Sequence, residues 1–265
     1  MQNNIFSTLF IGQNYIKLTS VDSTNTYLKN ILTNSEPLPE GTVIMAENQF
    51  SGRGQLQNKW LSKPGENLTF SVYLKPNFLT ITQQFYLNIT VSLGVWEVLE
   101  RYLGADVKIK WPNDIYYKDK KLGGILIENS IQGSLFKNTI IGIGINVNQQ
   151  AFDAELSDKA ISLNQILHKN VDINALMTDI CQVIEKYYFQ LKAQKLEKLM
   201  ADYQAQLYQL HQASLFEKDG EVFVGVVRGV TNSGQLQIEV NHHMETYNFK
   251  EIKFIKPEPN NPIIT

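Results

Sequence analysis

Apolar residues recur along this chain with two periods, and the switches between them outline its elements. Phe85, Ile89, Leu93, Trp96, Leu99 and Leu103 repeat at helical spacing, with Gly104 next as a natural C-cap. This predicts the main helix under a sheet. Strand-like runs lie on either side of it, at Thr42 to Ala46, Leu68 to Leu74, 107–111, 115–118, 123–129 and Thr139 to Val147. Val107, Ile109 and Trp111 alternate into Pro112, which cannot donate to a ladder and stops the strand. Ser23 or Asp22 caps a helix with Tyr27, Leu28, Ile31 and Leu32 inward. Asp172 caps another, with Leu176, Ile180, Ile184, Tyr187 and Leu191 inward. A more polar helix is expected over about 194–209. Residues 1–21 hold short apolar stretches and no helix-turn-helix. The segment from Gln49 to Asn67, punctuated by Gly52, Gly54, Pro64 and Gly65, predicts a long mobile loop; loops of that length are usually functional.

From Ser214 the pattern changes to short strands. Asp219-Gly220 and Asn232-Ser233-Gly234 are hairpin turn signals between alternating runs such as Val222, Val224, Val226 and Leu236, Ile238, Val240. The division expected is a larger domain over 1–211, a small five-stranded barrel over 212–257, and a frayed tail over 258–265.

Composition narrows the function class. Hydrophobic residues make up 43% and charged residues 19%, the balance of an ordinary globular chain. A net charge of −2 argues against a general DNA binder. The single cysteine, Cys181, excludes an internal disulfide and falls in an apolar helical pattern, as a core residue would. No apolar run has membrane-spanning length, and the N-terminus lacks signal-peptide character, so the expected location is the cytoplasm.

Three stretches carry chemistry. Residues 108–128 place Asn113, Asp114 and Lys121 at the ends of neighbouring strands, with Gly123 and Gly124 where a ligand could approach the backbone. That set suits an anionic ligand accompanied by a metal. Residues 46–60 contain Gly52-Arg53-Gly54, a flexible run of backbone donors with one guanidinium, a fork suited to carboxylate or phosphate oxygens. Upstream stands Asp22-Ser23-Thr24-Asn25-Thr26. A Rossmann fingerprint fails because the third glycine after Gly142 and Gly144 would fall on Val147, and no P-loop is present.

The ordered set Ser-Thr-Asn, Gln…Gly-Arg-Gly…Trp, Lys-Trp-Pro-Asn-Asp, Lys-Leu-Gly-Gly and Gly-Ile-Gly-Ile-Asn resembles the catalytic domain of the biotin–protein ligases, from Ser23 to about Asn146. The resemblance implies an α+β fold, with a mixed central sheet packed against helices as in class II synthetases and a C-terminal SH3-like barrel. The form implied lacks the N-terminal DNA-binding domain that some members carry. It also implies biotin and ATP with Mg²⁺, a biotinyl-5′-AMP intermediate, and transfer to a lysine of a biotin carboxyl carrier domain of a carboxylase or decarboxylase.

By the same resemblance Lys121 meets the biotin carboxyl and the α-phosphate, and Arg53 folds over the intermediate. Ser23, Thr24, Asn25 and Gln49 match positions of the biotin pocket, and Gly52, Gly54, Gln55 and Gly124 fall within the biotin-binding set. Lys110, Asn113, Asp114, Trp60 and Asn146 match positions on the nucleotide side, with Asp114 as the candidate Mg²⁺ ligand. Trp111 reads as mid-strand packing. Some members follow Gly-Arg-Gly with further arginines; this chain has Gln55, Leu56, Gln57 and Asn58 instead. The open alternatives are a lipoate or octanoate ligase and a non-catalytic biotin-responsive regulator. Edge strands of the central sheet leave both a monomer and a ligand-dependent homodimer open.

Overall fold

Strands and helices form close to where the periodicity places them in a computed structural model that describes residues 6–34, 38–55, 58–133 and 135–255. The expected tail, Leu56 and Gln57 lie outside the described residues. In chain order the first body contains β1 (Tyr15–Val21), α1 (Thr24–Asn34), β2 (Val43–Gln49), β3 (Leu68–Leu74), α2 (Gln84–Leu103), β4 (Val107–Lys110) and β5 (Asp114–Tyr117). It continues with β6 (Lys120–Gln132), β7 (Leu135–Ile145), α3 (Leu163–Leu167), α4 (Ile173–Lys192) and α5 (Leu196–Ala205).

The seven strands pair in the order β1-β2-β3-β7-β6-β5-β4. Only β1 and β2 run parallel; every other neighbouring pair is antiparallel. β1 was not expected from the sequence, because it is an edge strand with no buried residue. β3 forms where the run from Leu68 to Leu74 places it and is buried along its whole length. The reason is that both faces of the sheet are covered. Even-numbered β3 residues such as Phe70 and Val72 join the large core beneath α2 and α4, while Tyr73 packs with Leu28 and Ile44 beneath α1.

α2 ends where predicted, with Gly104 at φ 76 and its N–H returned to the Glu100 carbonyl. It meets α4 at Gly94, where an added Cβ would sit 2.6 Å from Ile184 Cγ1. α4 is capped by Asp172, whose carboxylate accepts from the N–H groups of Asn174 and Ala175. A buried carboxylate on α4, Glu185, accepts from the backbone N–H groups of Leu9, Phe10 and Ile11 and ties the N-terminal segment to the helix layer. The polar helix is shorter than expected, ending at Ala205.

A second sheet holds β8 (Ala213–Lys218), β9 (Glu221–Val230), β10 (Leu236–Val240), β11 (His243–Tyr247) and β12 (Lys253–Ile255), antiparallel in the order β11-β10-β9-β8-β12. Positive φ at both Asp219 and Gly220 makes the β8–β9 turn, as the sequence signal requires. Val227, Val230, Leu236 and Ile238 of this sheet join the same continuous core as α2 and α5. Among the described residues no helix is long and apolar enough to cross a membrane.

Candidate active site

The site lies on the face of the central sheet that carries α1, and the strand register explains its residues. Asp114 on β5 stands directly opposite Gly124 on β6. One pair further along, the register slips: Ile115 faces Gly123 but Tyr116 faces Lys121, so Leu122 is an extra residue. In a regular strand, residues three apart point to opposite faces. The bulge cancels one step and brings Lys121 and Gly124 to the same face. The Lys121 side chain then lies over bare glycine: a Cβ on Gly124 would come within 3.1 Å of Asp114 Oδ1 and 3.3 Å of Lys121 Nζ. The ammonium meets the Asp114 carboxylate at 2.7 Å. Its backbone is fixed as well, since Lys121 N–H donates to the Lys159 carbonyl and its own carbonyl accepts from Ile161 N–H.

The floor is polar and tightly paired. Thr24 N–H and Oγ1 both donate to Gln49 Oε1, so Gln49 satisfies a first-turn amide of α1. Ser71 Oγ lies 2.7 Å from Thr24 Oγ1 and 2.6 Å from Asn25 Oδ1. Asn25 Nδ2 donates to Glu128 Oε2 at 2.8 Å. Ser23, Thr24, Asn25 and Ser71 are all buried. Gly142 is what admits Asn25 against β7, because a Cβ there would sit 2.6 Å from Asn25 Oδ1.

The roof is the segment expected as a long loop. Its inner part folds as a small hairpin: Gly54 N–H donates to the Asn58 carbonyl, Trp60 N–H to the Gly52 carbonyl, and Arg53 bridges Lys59. Arg53 reaches across to Glu128, with Nη2 2.9 Å from Oε1 and Nη1 3.4 Å from Oε2. Trp60 lies flat on Gly144, where a Cβ would meet its Cε2 at 2.5 Å. Trp60 Nε1 is buried and has no partner. A buried unpaired donor is costly unless a ligand atom accepts from it.

These walls enclose a cavity of about 270 Å³. Of the residues singled out from sequence, Ser23, Thr24, Asn25, Gln49, Arg53 and Gly54 line it, with Gln55, Trp60, Asn113, Asp114, Lys121 and Gly124. Three do not. Gly52 closes the base of the hairpin, where a Cβ would meet the Trp60 carbonyl at 2.4 Å. Asn146 is buried and donates to the carbonyls of Lys121 and Ile161, which makes it a strut for the Lys121 backbone. Lys110 pairs with Asp114 in register, yet its ammonium turns outward to Tyr116 OH at 3.1 Å and over the rings of Tyr116 and Phe254. Burial, then the Asp114 charge, pushes the Tyr116 phenol above its ordinary range, so it stays protonated beside that cation.

Trp111 is buried in the core, as its packing role requires, but it is not mid-strand. It lies past the end of β4, in the turn with the cis Trp111–Pro112 bond, and donates from Nε1 to the Gly234 carbonyl in the β9–β10 turn. Together with Phe249 it lines the cavity. Glu128 and Ser71 were missed because their partners are distant in sequence. The glycines at 142 and 144 were visible as a run, and their two-residue spacing on a buried strand was the available signal for a face kept bare.

The Gly-Arg-Gly hairpin, the bulge at Leu122 and the bare glycine face occur within the span matched by one protein-family model, the biotin/lipoate A/B protein ligase family, over residues 17–146. Across 243 residues the chain is 32% identical to the bifunctional ligase/repressor BirA of Salmonella typhimurium, covering 89% of this chain and 72% of that one. The chain belongs to the biotin/lipoate A/B protein ligase family. Another relative within it, BirA of Bacillus subtilis, is 34% identical over 183 residues, 68% of this chain but 55% of its own length. The chain therefore spans little more than half of that relative. Among solved structures, the biotin protein ligase of Aquifex aeolicus in complex with biotin and ATP superposes with a TM-score of 0.78 at 28% identity, covering 92% of this chain and 99% of that one.

Proposed function

We propose that the chain is an ATP-dependent, AMP-forming biotin–protein ligase, with catalytic residues in 1–211 and an accessory barrel in 212–257. The observation that carries the reading is the Lys121 ammonium, held by a bulge over bare Gly124 inside a cavity roofed by Arg53.

The chemistry follows from that arrangement. A biotin carboxylate oxygen attacks the α-phosphorus of ATP, the bond to the β-phosphate bridging oxygen breaks, and pyrophosphate leaves. Two anions must come together, and this is unfavourable without a cation between them. Lys121 supplies it by exchanging Asp114 for ligand oxygens, while Arg53 and Lys59 add positive charge along the roof. Charge stabilisation of this kind, placed beforehand in a partly dry site, is usually the largest catalytic contribution. The ε-amine of an acceptor lysine then attacks the acyl carbon of biotinyl-5′-AMP, AMP departs, and the amine loses a proton as the amide forms.

The polar floor favours biotin over lipoate. A buried ureido group needs donors and acceptors at its edges, which Ser23, Thr24, Asn25 and Gln49 offer, whereas a dithiolane can use none of them. The Trp60 Nε1 donor and the ring's face suit the body of a ligand lying along β7. Magnesium, when bound with ATP, screens the triphosphate. Asp114 is the one carboxylate lining the cavity, and no cluster of three metal-ligating side chains occurs among the described residues. That donor set fits a Mg²⁺ held mainly by phosphate oxygens and water.

The test is transfer of labelled biotin to a purified biotin carboxyl carrier domain with MgATP. The reading requires incorporation that depends on ATP and is lost when the acceptor lysine is replaced. No incorporation, with biotin still bound, would reject it.

A further inference from the structure

Glu128 is a partly exposed carboxylate on β6 that the sequence reading did not single out, and it serves two partners at once. Oε2 accepts from Asn25 Nδ2 at 2.8 Å, and Oε1 takes Arg53 Nη2 at 2.9 Å, with Nη1 near both Oε2 and Thr26 Oγ1. Asn25 belongs to the buried floor, where its other amide atom is fixed by Ser71. Arg53 belongs to the roof hairpin. One carboxylate therefore joins floor and roof, two segments separated by the ligand cavity.

The connection is directional. With Oδ1 accepting from Ser71, the Asn25 amide can present only Nδ2 towards Glu128. A planar guanidinium matched to a planar carboxylate fixes the Arg53 fork in the same way. Besides this pair and the long contact to Thr26, no hydrogen bond joins the Arg53 side chain to the rest of the described protein. Removing Glu128 would leave the roof held at this end by nothing comparable.

We propose that Glu128 is a positioning residue that ties the pocket floor at Asn25 to the placement of the Arg53 guanidinium over the cavity, and so governs how firmly the activated intermediate is retained. The inference rests on the ligase reading above. A ligand engaging Asn25 shifts the carboxylate's share between Asn25 and Arg53, and the roof responds. By linkage the effect is reciprocal: holding Arg53 on Glu128 must alter ligand affinity at Asn25 by the same factor.

The experiment compares wild type with Glu128→Gln, Glu128→Ala and Glu128→Asp. Three readouts are taken: maximal pyrophosphate release from MgATP with biotin, biotinyl-adenylate lost to solution per pyrophosphate formed, and tryptic cutting after Arg53 and Lys59 with and without biotin. In Glu128→Gln the expected result is near-normal maximal pyrophosphate release under single-turnover conditions and about fivefold more escaped intermediate. That ratio is about what a partly exposed, bidentate ion pair supports. Biotin should no longer protect the hairpin from trypsin, and Glu128→Asp should restore part of both effects.

Unchanged escape together with intact biotin protection in Glu128→Gln would overturn the proposal. So would a collapse of single-turnover adenylation with a shifted pH profile, which would make Glu128 part of the chemistry. A merely structural role would lower thermal stability in all three variants without separating retention from turnover, and Glu128→Gln keeps the shape should Glu128→Ala fail to fold. If wild type itself releases no pyrophosphate with biotin, the ligase reading fails first, and the two failures are distinguishable.

Discussion

Lys121 and Asp114 meet at 2.7 Å across the bare backbone of Gly124, on neighbouring strands that a single bulged residue puts in phase. The pair is about one-third exposed on the lysine side. Pairs of that exposure contribute about 0–1 kcal/mol to stability, so its place in the fold does not account for it. Its value is to hold an ammonium ready for anionic ligands.

Replacing that ammonium should therefore separate activity from stability. Lys121→Ala is expected to reduce kcat/KM for pyrophosphate release by about two to three orders of magnitude, the size seen when one stabilising donor is removed. Its melting temperature should stay within a few degrees of wild type. Stopped activity assays and calorimetry on the same preparation check both parts.

Gly144→Ala should act on the roof. The new Cβ would collide with Trp60 Cε2 at 2.5 Å and lift the indole off β7. Trp96 is fixed on the Val107 carbonyl away from the site, but Trp111 lines the same cavity, so the change is made in a Trp111→Phe background, where a red shift of tryptophan emission reports Trp60. The binding of biotin should weaken in parallel, as measured by calorimetric titration.

At the helix interface, Gly94→Ala should destabilise without touching the chemistry. A methyl 2.6 Å from Ile184 Cγ1 and 3.0 Å from its Cα forces α2 and α4 apart. Overpacking of this kind costs about 1–3 kcal/mol, more than the gain from replacing a helical glycine. Urea unfolding should show a lower midpoint while the pyrophosphate release of the folded fraction is preserved.

Cys181 is fully buried on α4. Burial first, then the neighbouring Glu185 charge, pushes its thiol far above the ordinary range. A raised pKa keeps the reactive thiolate absent from the native state, and raising the pH towards 9 should not expose it. Iodoacetamide labelling should be slow in buffer at both neutral and alkaline pH and fast in guanidinium chloride.

The sequence made much of this legible because its signals were local. Helical spacing from Phe85 to Leu103, the Gly104 cap and the Asp172 cap all depend on neighbours within a turn or two, and each forms as read. The Asp219-Gly220 turn does the same. What escaped was set by pairing between strands. That Lys121 and Gly124 share a face depends on a bulge visible only against β5. Glu128 has partners 75 and 103 residues away. Lys110 was read by its place in a motif, but aromatic rings from β5 and β12 draw its ammonium outward. Trp111 continues the strand in the sequence pattern, but its indole is placed by the Gly234 carbonyl, more than a hundred residues away. β1 escaped because an exposed edge strand carries little hydrophobic alternation.

The most direct measurement of the central claim is pyrophosphate release from MgATP with biotin and lipoate in parallel, using wild type and Lys121→Ala. Release with biotin, little with lipoate, and loss of the biotin signal in the variant are expected. Release with lipoate but not biotin would contradict the assignment of the polar floor, and undiminished release by Lys121→Ala would contradict the mechanism.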